Sequence, residues 1–166
     1  AVELESAPGR GSRFTLWAPM DPERRVPAAT PGSAAAAPLS QPQLPVRALR
    51  VMLVDDHKLV RQGLARLLAL EPGIEVVGEA SDGGTAVSLA RRLRPDVITM
   101  DVNMPGLDGI EATRQIRGFF PEIKVIGLSM FDNQEQAQAM RQAGAAAYLS
   151  KSGPAESLLE EILGKS

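Results

Sequence analysis

The feature that most constrains the fold is a fivefold alternation of short apolar runs with longer segments of helical spacing, which begins near Leu49. The runs cover residues 51–54, 74–77, 97–100, 123–128 and 146–149. Most are continuously apolar, which is typical of strands that are covered on both faces. Strict alternation of strand and helix predicts a doubly wound five-stranded parallel sheet with five helices in a three-layer α/β/α arrangement.

Apolar residues mark the helical segment after each run, and capping residues mark some of the helix starts. Asp82 and Asp132 stand where N-caps are expected, and Asp108 with Gly109 indicates the start of the third helix. The fourth helix is marked by Ala137, Met140 and Gly144. Prolines fall in the connections after helices, at Pro72, Pro95 and Pro121.

The chain before this pattern has a different composition. Eight of the 13 prolines lie in the first 45 residues, and residues 20–48 are rich in proline and alanine but poor in large apolar side chains. Such a segment is typical of a semi-extended linker without a packed core. We therefore expect residues 20–48 to be a disordered linker and residues 49–166 to form one domain.

Composition excludes several classes of site. The chain has no cysteine, so disulfides, thiolate metal sites and cysteine nucleophiles are excluded, and its single histidine, His57, excludes a cluster of several histidines. A formal charge of -2 does not favour a nucleic-acid or membrane surface. No apolar run reaches the ~20 residues that span a bilayer. We expect a cytoplasmic setting, without nucleic-acid or membrane contact by this chain.

Polar, reactive side chains follow four of the five predicted strands. Ligands of an open parallel sheet bind beyond the carboxyl ends of its strands. The residues at these ends are Asp55 and Asp56 after the first strand, Asp101 after the third, Ser129 after the fourth and Lys151 after the fifth. The sequence therefore predicts one site at this edge of the sheet.

These residue types indicate metal-assisted phosphoryl chemistry. Three carboxylates in one cleft repel one another unless a cation lies between them, and an all-oxygen ligand set suits Mg²⁺ or Mn²⁺. A carboxylate can attack phosphorus to form an aspartyl phosphate, while Lys151 supplies positive charge and Ser129 a hydroxyl donor. A single aspartate at a strand end is more often a turn former or a cap, and either Asp55 or Asp56 could be only the cap of the first helix.

Four sequence blocks resemble the signature blocks of response-regulator receiver domains of two-component signalling. They are residues 54–61 (VDDHKLVR), 100–109 (MDVNMPGLDG), 127–130 (GLSM) and 148–151 (YLSK). The resemblance extends from about Leu49 to the C-terminus, with the blocks in order. It implies the flavodoxin-like strand order 2-1-3-4-5, which places the first strand beside the third and so brings Asp55 and Asp56 next to Asp101.

The resemblance also implies roles for individual residues. Asp101 would be phosphorylated from a histidine kinase or a histidine phosphotransfer protein, and the receiver would catalyse its own phosphorylation and dephosphorylation. The other implied roles are metal binding by Asp55, Asp56, Asp101 and the backbone carbonyl of Asn103, switching by Ser129 and Tyr148, and phosphate sensing by Lys151. The face of the fourth helix, fifth strand and fifth helix would change on phosphorylation and could form a homodimer.

Residues 2–19 resemble the last strand pair of a histidine-kinase ATP-binding domain, with a tight Pro-Gly-Arg-Gly turn between the strands. The nucleotide-binding blocks of that domain are absent from the chain. We therefore expect residues 1–19 to be the end of a kinase domain, and the parent protein to be a hybrid histidine kinase with a C-terminal receiver.

Other interpretations remain alongside this one. A haloacid-dehalogenase-type phosphohydrolase needs an aspartate two residues beyond its nucleophile, where this chain has Asn103. A degenerate receiver would act only as a protein-binding module. His57 follows the acidic pair at a helix start, which favours a local structural role over that of a phosphodonor. Tyr148 is ordinary strand packing by residue type alone.

Overall fold

The computed structural model describes residues 47–164. The predicted kinase-like remnant and nearly all of the predicted linker lie outside the described residues. The elements alternate as β1 (Leu49–Val54), α1 (Lys58–Ala69), β2 (Ile74–Ala80), α2 (Gly83–Leu93), β3 (Val97–Asp101), α3 (Gly109–Phe119), β4 (Lys124–Ser129), α4 (Gln134–Gln142), β5 (Ala147–Ser150) and α5 (Ala155–Leu163). None of the helices in this part of the chain is long and apolar enough to cross a membrane.

All five strands are parallel and lie in the order β2-β1-β3-β4-β5, which confirms the predicted flavodoxin-like topology. Because side chains alternate across a strand, β1 contributes to both faces of the sheet. Val51 and Leu53 pack with Leu68 of α1 and Ile162 of α5. On the other face, residues of β1 and β3 pack with Ala86 of α2, Ile116 of α3 and Met140 of α4. The helices therefore cover both faces and leave the carboxyl ends of the strands as an open edge.

Three sequence expectations about element ends are corrected. β2 continues to Ala80, beyond its apolar run, because backbone pairing with β1 includes Gly78 and Glu79 as well. The N-cap of α4 is Asn133 rather than Asp132: the Asn133 side chain accepts the N–H groups of Glu135 and Gln136. Gly144 lies after the end of α4 at a φ of 103°, a left-handed conformation that glycine adopts without strain.

Candidate functional site

The polar residues that follow the strands converge at one edge of the sheet. Asp101 ends β3 and Ser129 ends β4, while Asp55 and Lys151 immediately follow β1 and β5. Since β1, β3, β4 and β5 are consecutive neighbours in the sheet, their side chains meet. Lys151 Nζ lies 2.6 Å from Asp55 Oδ2 and 3.0 Å from Asp101 Oδ1, and all three side chains are buried.

A cluster of possible metal ligands surrounds this ion pair. One carboxylate oxygen from each of Asp55, Asp56 and Asp101, together with a ring nitrogen of His57, lie within 4.8 Å of one another. With all three acids ionised, three negative charges face the single positive charge of Lys151, which leaves an excess of two. A divalent cation fits this excess, and carboxylate oxygens are ligands that Mg²⁺ prefers.

The hydrogen bonding of the carboxylates tests this fit further. Asp56 Oδ1 is buried without a hydrogen bond from the described residues, although His57 Nδ1 lies 2.6 Å away. Asp55 Oδ2 likewise receives no well-aligned hydrogen bond, but its charge is compensated by the Lys151 ammonium. A buried carboxylate oxygen that accepts no well-aligned hydrogen bond is costly, and such an oxygen suits a metal ligand. The residues present therefore fit a hard divalent cation.

The protonation of Asp101 reflects competing influences. Burial raises the pKa of Asp101 above its ordinary value, and the neighbouring Asp55 carboxylate adds to the rise. The Lys151 ammonium acts in the opposite direction, through its hydrogen bond and its charge, as does the N–H of Asn103, which donates to Asp101 Oδ1 at 3.3 Å. Asp101 is thus a carboxylate with little solvation of its own, which depends on adjacent cations to remain charged.

The first turn of α1 shows how the acidic pair is held. The N-cap of α1 is His57, so neither Asp55 nor Asp56 occupies the cap position, and the Asp55 carboxylate instead accepts the His57 N–H at 2.8 Å. The His57 side chain itself is largely exposed. Arg61 donates to the backbone carbonyl of Asp55 at 2.5 Å and to Glu79 at 3.2 Å. Sequence reasoning missed Arg61, because arginine at helical spacing is usually a solvated surface residue.

Ser129 and Tyr148 contact the same residue of the loop between β4 and α4. Ser129 is fully buried, and its Oγ accepts the N–H of Phe131 at 3.3 Å. The Tyr148 hydroxyl donates to the carbonyl oxygen of Phe131 at 3.1 Å. The Phe131 side chain is exposed. A displacement of Ser129 toward Asp101 would therefore also affect Phe131, whose carbonyl oxygen accepts the Tyr148 hydroxyl.

Gln136 is a second residue that sequence reasoning missed. Its Nε2 donates to Asn103 Oδ1 at 2.9 Å, and its Oε1 lies 3.4 Å from Ser129 Oγ. Glutamines are common on helix surfaces, so only the tertiary placement of α4 beside the loop after β3 distinguishes this one.

A close backbone approach fixes the loop after Asp101. Gly109 begins α3, and its N–H donates to the carbonyl of Val102 at 3.1 Å. A Cβ at Gly109 would lie 1.9 Å from the carbonyl oxygen of Asp101. Glycine is therefore required here, and the contact sets where β3 delivers its terminal aspartate.

The comparisons with known proteins agree with this geometry. The response regulator receiver domain family matches residues 51–163. The transcriptional regulatory protein LiaR of Bacillus subtilis is 47% identical over 114 residues, which cover 69% of this chain and 54% of that protein. The chain spans about half the length of the curated relatives it matches.

Solved receiver structures have the same fold. The receiver domain of the response regulator NarL from Mycobacterium tuberculosis has a TM-score of 0.66 and 34% identity, with coverage of 71% of this chain and 98% of that one. The isolated receiver domain of RcsB from Salmonella enterica, solved with phosphomimetic BeF3⁻, has a TM-score of 0.66 and 27% identity. The match covers 72% of this chain and 91% of that one. With its fold, its acidic cluster and its buried lysine, the chain belongs to the response regulator receiver domains of two-component signalling.

Proposed function

We propose that Asp101 is the phosphoacceptor of this receiver domain and takes its phosphoryl group from a phosphohistidine on a partner protein. The observation that carries the proposal is the position of Lys151 Nζ, 3.0 Å from Asp101 Oδ1 and 2.6 Å from Asp55 Oδ2. An oxygen of Asp101 attacks phosphorus as the phosphorus–nitrogen bond breaks, and the bond's electron pair stays on the histidine nitrogen, which takes up a proton. Lys151 places positive charge beside the transferring group.

We further propose Mg²⁺, or Mn²⁺, as the cation of the acidic cluster. Asp55, Asp56, Asp101 and the backbone carbonyl of Asn103 would hold it, and when bound it supplies positive charge that offsets the negative charge of the phosphoryl oxygens. Two observations support this assignment: the buried Asp56 oxygen accepts no well-aligned hydrogen bond from the described residues, and the cluster has an excess of two negative charges.

Ser129 and Tyr148 are the proposed switch residues. A phosphoryl group adds about -1.5 to -2 charges at neutral pH and offers strong acceptor oxygens to the Ser129 hydroxyl. Because Ser129 and Tyr148 both contact Phe131, the change at Ser129 would pass to Tyr148 and to the face formed by α4, β5 and α5. We propose this face as the surface that changes on phosphorylation and through which two copies could associate.

The partners and the parent protein are also proposals. A histidine kinase or a histidine phosphotransfer protein would supply the phosphoryl group, in a cytoplasmic setting. The resemblance of residues 2–19 supports a parent hybrid histidine kinase, with a linker over residues 20–48 and the receiver over 49–166. The name of LiaR instead describes a transcriptional regulator, so the complete gene sequence is the direct test of these two origins. In either case we propose that the receiver itself does not contact nucleic acid.

The phosphoacceptor assignment is tested by intact mass after incubation with acetyl phosphate and magnesium. We expect the wild type to gain one phosphoryl mass and Asp101→Asn to gain none. Asp132→Asn changes an exposed aspartate of the β4–α4 loop and should be modified like the wild type. Modification of Asp101→Asn to the same extent would place the acceptor elsewhere.

The binding-module alternative has no support among the observations, since the acidic cluster and the buried lysine are both present. A protein that stays folded and binds magnesium, but takes up neither a phosphoryl group nor beryllofluoride, would nevertheless favour it over the proposed mechanism.

A further inference from the structure

A chain of polar contacts connects the first turn of α4 to the proposed phosphoacceptor. The Ser129 hydroxyl lies 3.4 Å from Gln136 Oε1, and Gln136 Nε2 donates to Asn103 Oδ1 at 2.9 Å. The backbone N–H of Asn103 donates in turn to Asp101 Oδ1 at 3.3 Å. The side-chain amide of Gln136 therefore contacts Ser129 through its oxygen and Asn103 through its nitrogen, and the proposed function places both residues at the site.

The orientation of Gln136 is fixed by its position in α4. It lies in the first turn, where its N–H and that of Glu135 are both accepted by the side chain of the N-cap Asn133. Gln136 is half-buried, whereas Gln138, two residues further along the same helix, is exposed. The contact to Ser129 is long, so it is weak and readily exchanged for a better acceptor.

The Ser129 hydroxyl has a single hydrogen to donate. The Ser129 oxygen already accepts the N–H of Phe131, and the hydroxyl hydrogen is directed to the side-chain amide oxygen Oε1 of Gln136. To donate to a phosphoryl oxygen on Asp101, Ser129 must release Gln136. The resting contact and the phosphorylated contact therefore exclude each other.

From this competition we infer that Gln136 is a positioning residue that holds Ser129 in the resting arrangement and senses its departure. The inference rests on the proposed function of Asp101 and Ser129. When Ser129 turns to the phosphoryl group, Gln136 keeps only its contact with Asn103, and the first turn of α4 loses a link to β4. Gln136 thus connects the chemistry at Asp101 to the face that includes α4.

The first test is the affinity for beryllofluoride in the presence of magnesium. Gln136→Met keeps the length and helix propensity of the side chain but removes both polar contacts. Because a competing acceptor for Ser129 is lost and that contact is long, we expect binding about 2-fold tighter than in the wild type, the lower end of the range for one neutral hydrogen bond. Gln138→Met is the matched control and should bind like the wild type.

A double-mutant cycle separates this role from a general effect on α4. In a Ser129→Ala background the gain from Gln136→Met should vanish, because the competition no longer exists. An equal gain in both backgrounds would overturn the inference. If the wild type binds beryllofluoride but Gln136→Met and Gln138→Met bind it with equal affinity, the inference is overturned and the proposed function stays intact. Failure of the folded wild type to bind beryllofluoride would overturn both.

A second measurement does not depend on phosphorylation. In the protein without magnesium or beryllofluoride, Gln136→Met should shift the NMR signals of the Asn103 side-chain amide and of the Ser129 backbone amide. Gln138→Met should leave both signals in place. Unchanged Asn103 and Ser129 signals in Gln136→Met would show that the contacts do not form in solution, and would overturn the inference.

Discussion

Lys151 Nζ lies 3.0 Å from Asp101 Oδ1, and the two side chains are 5% and 3% exposed. The same ammonium also contacts Asp55, so it shares its charge between the proposed acceptor and a proposed metal ligand. A lysine this well buried depends on such pairing. Substitution of Lys151 therefore tests the contribution of positive charge to phosphorylation separately from the magnesium affinity of the site.

Lys151→Met should slow phosphorylation by acetyl phosphate about 100-fold or more, as removal of one preorganised charge donor does elsewhere. Magnesium binding should persist or strengthen, because the variant loses a cation that competes for the same carboxylates. Lys124→Met is the control, because it removes a lysine at the end of β4 that lies away from Ser129 and the site. Intact mass over time gives the phosphorylation rate, and magnesium titrations followed by NMR give the magnesium affinity. Equal loss of magnesium binding and phosphorylation would contradict this division of roles.

Asp56→Asn should abolish the stabilisation of the protein by magnesium. Within the described residues, Asp56 Oδ1 is buried and accepts no well-aligned hydrogen bond, although His57 Nδ1 lies 2.6 Å away, so a bound cation would be a suitable partner. A ligand that binds only the folded state stabilises it by an amount that grows with the logarithm of the ligand concentration divided by Kd, and so raises the melting temperature. Thermal melting with and without magnesium should therefore show a shift in the wild type and in the exposed control Asp132→Asn, but little or none in Asp56→Asn. A full shift in Asp56→Asn would remove it from the ligand set.

Gly109→Ala should lower the free energy of unfolding by about 1–3 kcal/mol, the usual range for overpacking. The added Cβ would lie 1.9 Å from the Asp101 carbonyl oxygen and must displace the loop that carries the acceptor, so phosphorylation should slow as well. Gly118→Ala is a matched change in the same helix, where a Cβ meets nothing within 4 Å. It should stabilise the protein by about 0.5–1 kcal/mol. Urea unfolding of both variants measures the difference.

Asp96→Asn should weaken the fold at the opposite end of the sheet in a pH-dependent way. Burial raises the pKa of Asp96, but the N–H of Arg50 and the Arg47 guanidinium outweigh burial and hold that pKa below its usual value. Stability from a lowered pKa is present above the unfolded-state pKa of 3.8 and is lost as the pH falls through the folded-state pKa.

We expect the variant to lose no more than about 1 kcal/mol at pH 7, because the Asp96 side chain is one-third exposed. The difference from the wild type should shrink as the pH falls below about 4, where Asp96 of the unfolded wild type begins to take up a proton while the folded state still holds it charged. Urea unfolding of the wild type and of Asp96→Asn, from pH 7 to below about pH 4, measures this difference in the free energy of unfolding. A difference that stays constant with pH would indicate that the charge of Asp96 is not what stabilises this end of the sheet.

Much of the site could be predicted because it depends on chain order. Parallel strands deliver their last residues to one edge, so chain order alone predicts that Asp101 and Lys151 lie together. The prediction was weaker wherever two neighbouring residues offered the same chemistry. Asp132 and Asn133 can both cap a helix, and only the conformation of the loop decides that Asn133 does so.

The amino-acid sequence predicts the strand–helix alternation and the strand ends that carry charge, and its signature blocks imply the strand order. The alternation and the charged strand ends depend on local periodicity and on residue type, whereas the strand order is implied by the family resemblance. The contact of Arg61 with the Asp55 carbonyl, and those of Gln136 with Ser129 and Asn103, follow only from the folded arrangement. The physical reason is that such hydrogen bonds require atoms from separate elements to come within about 3.5 Å. The packing of helices against the sheet sets those distances, and no local pattern encodes them.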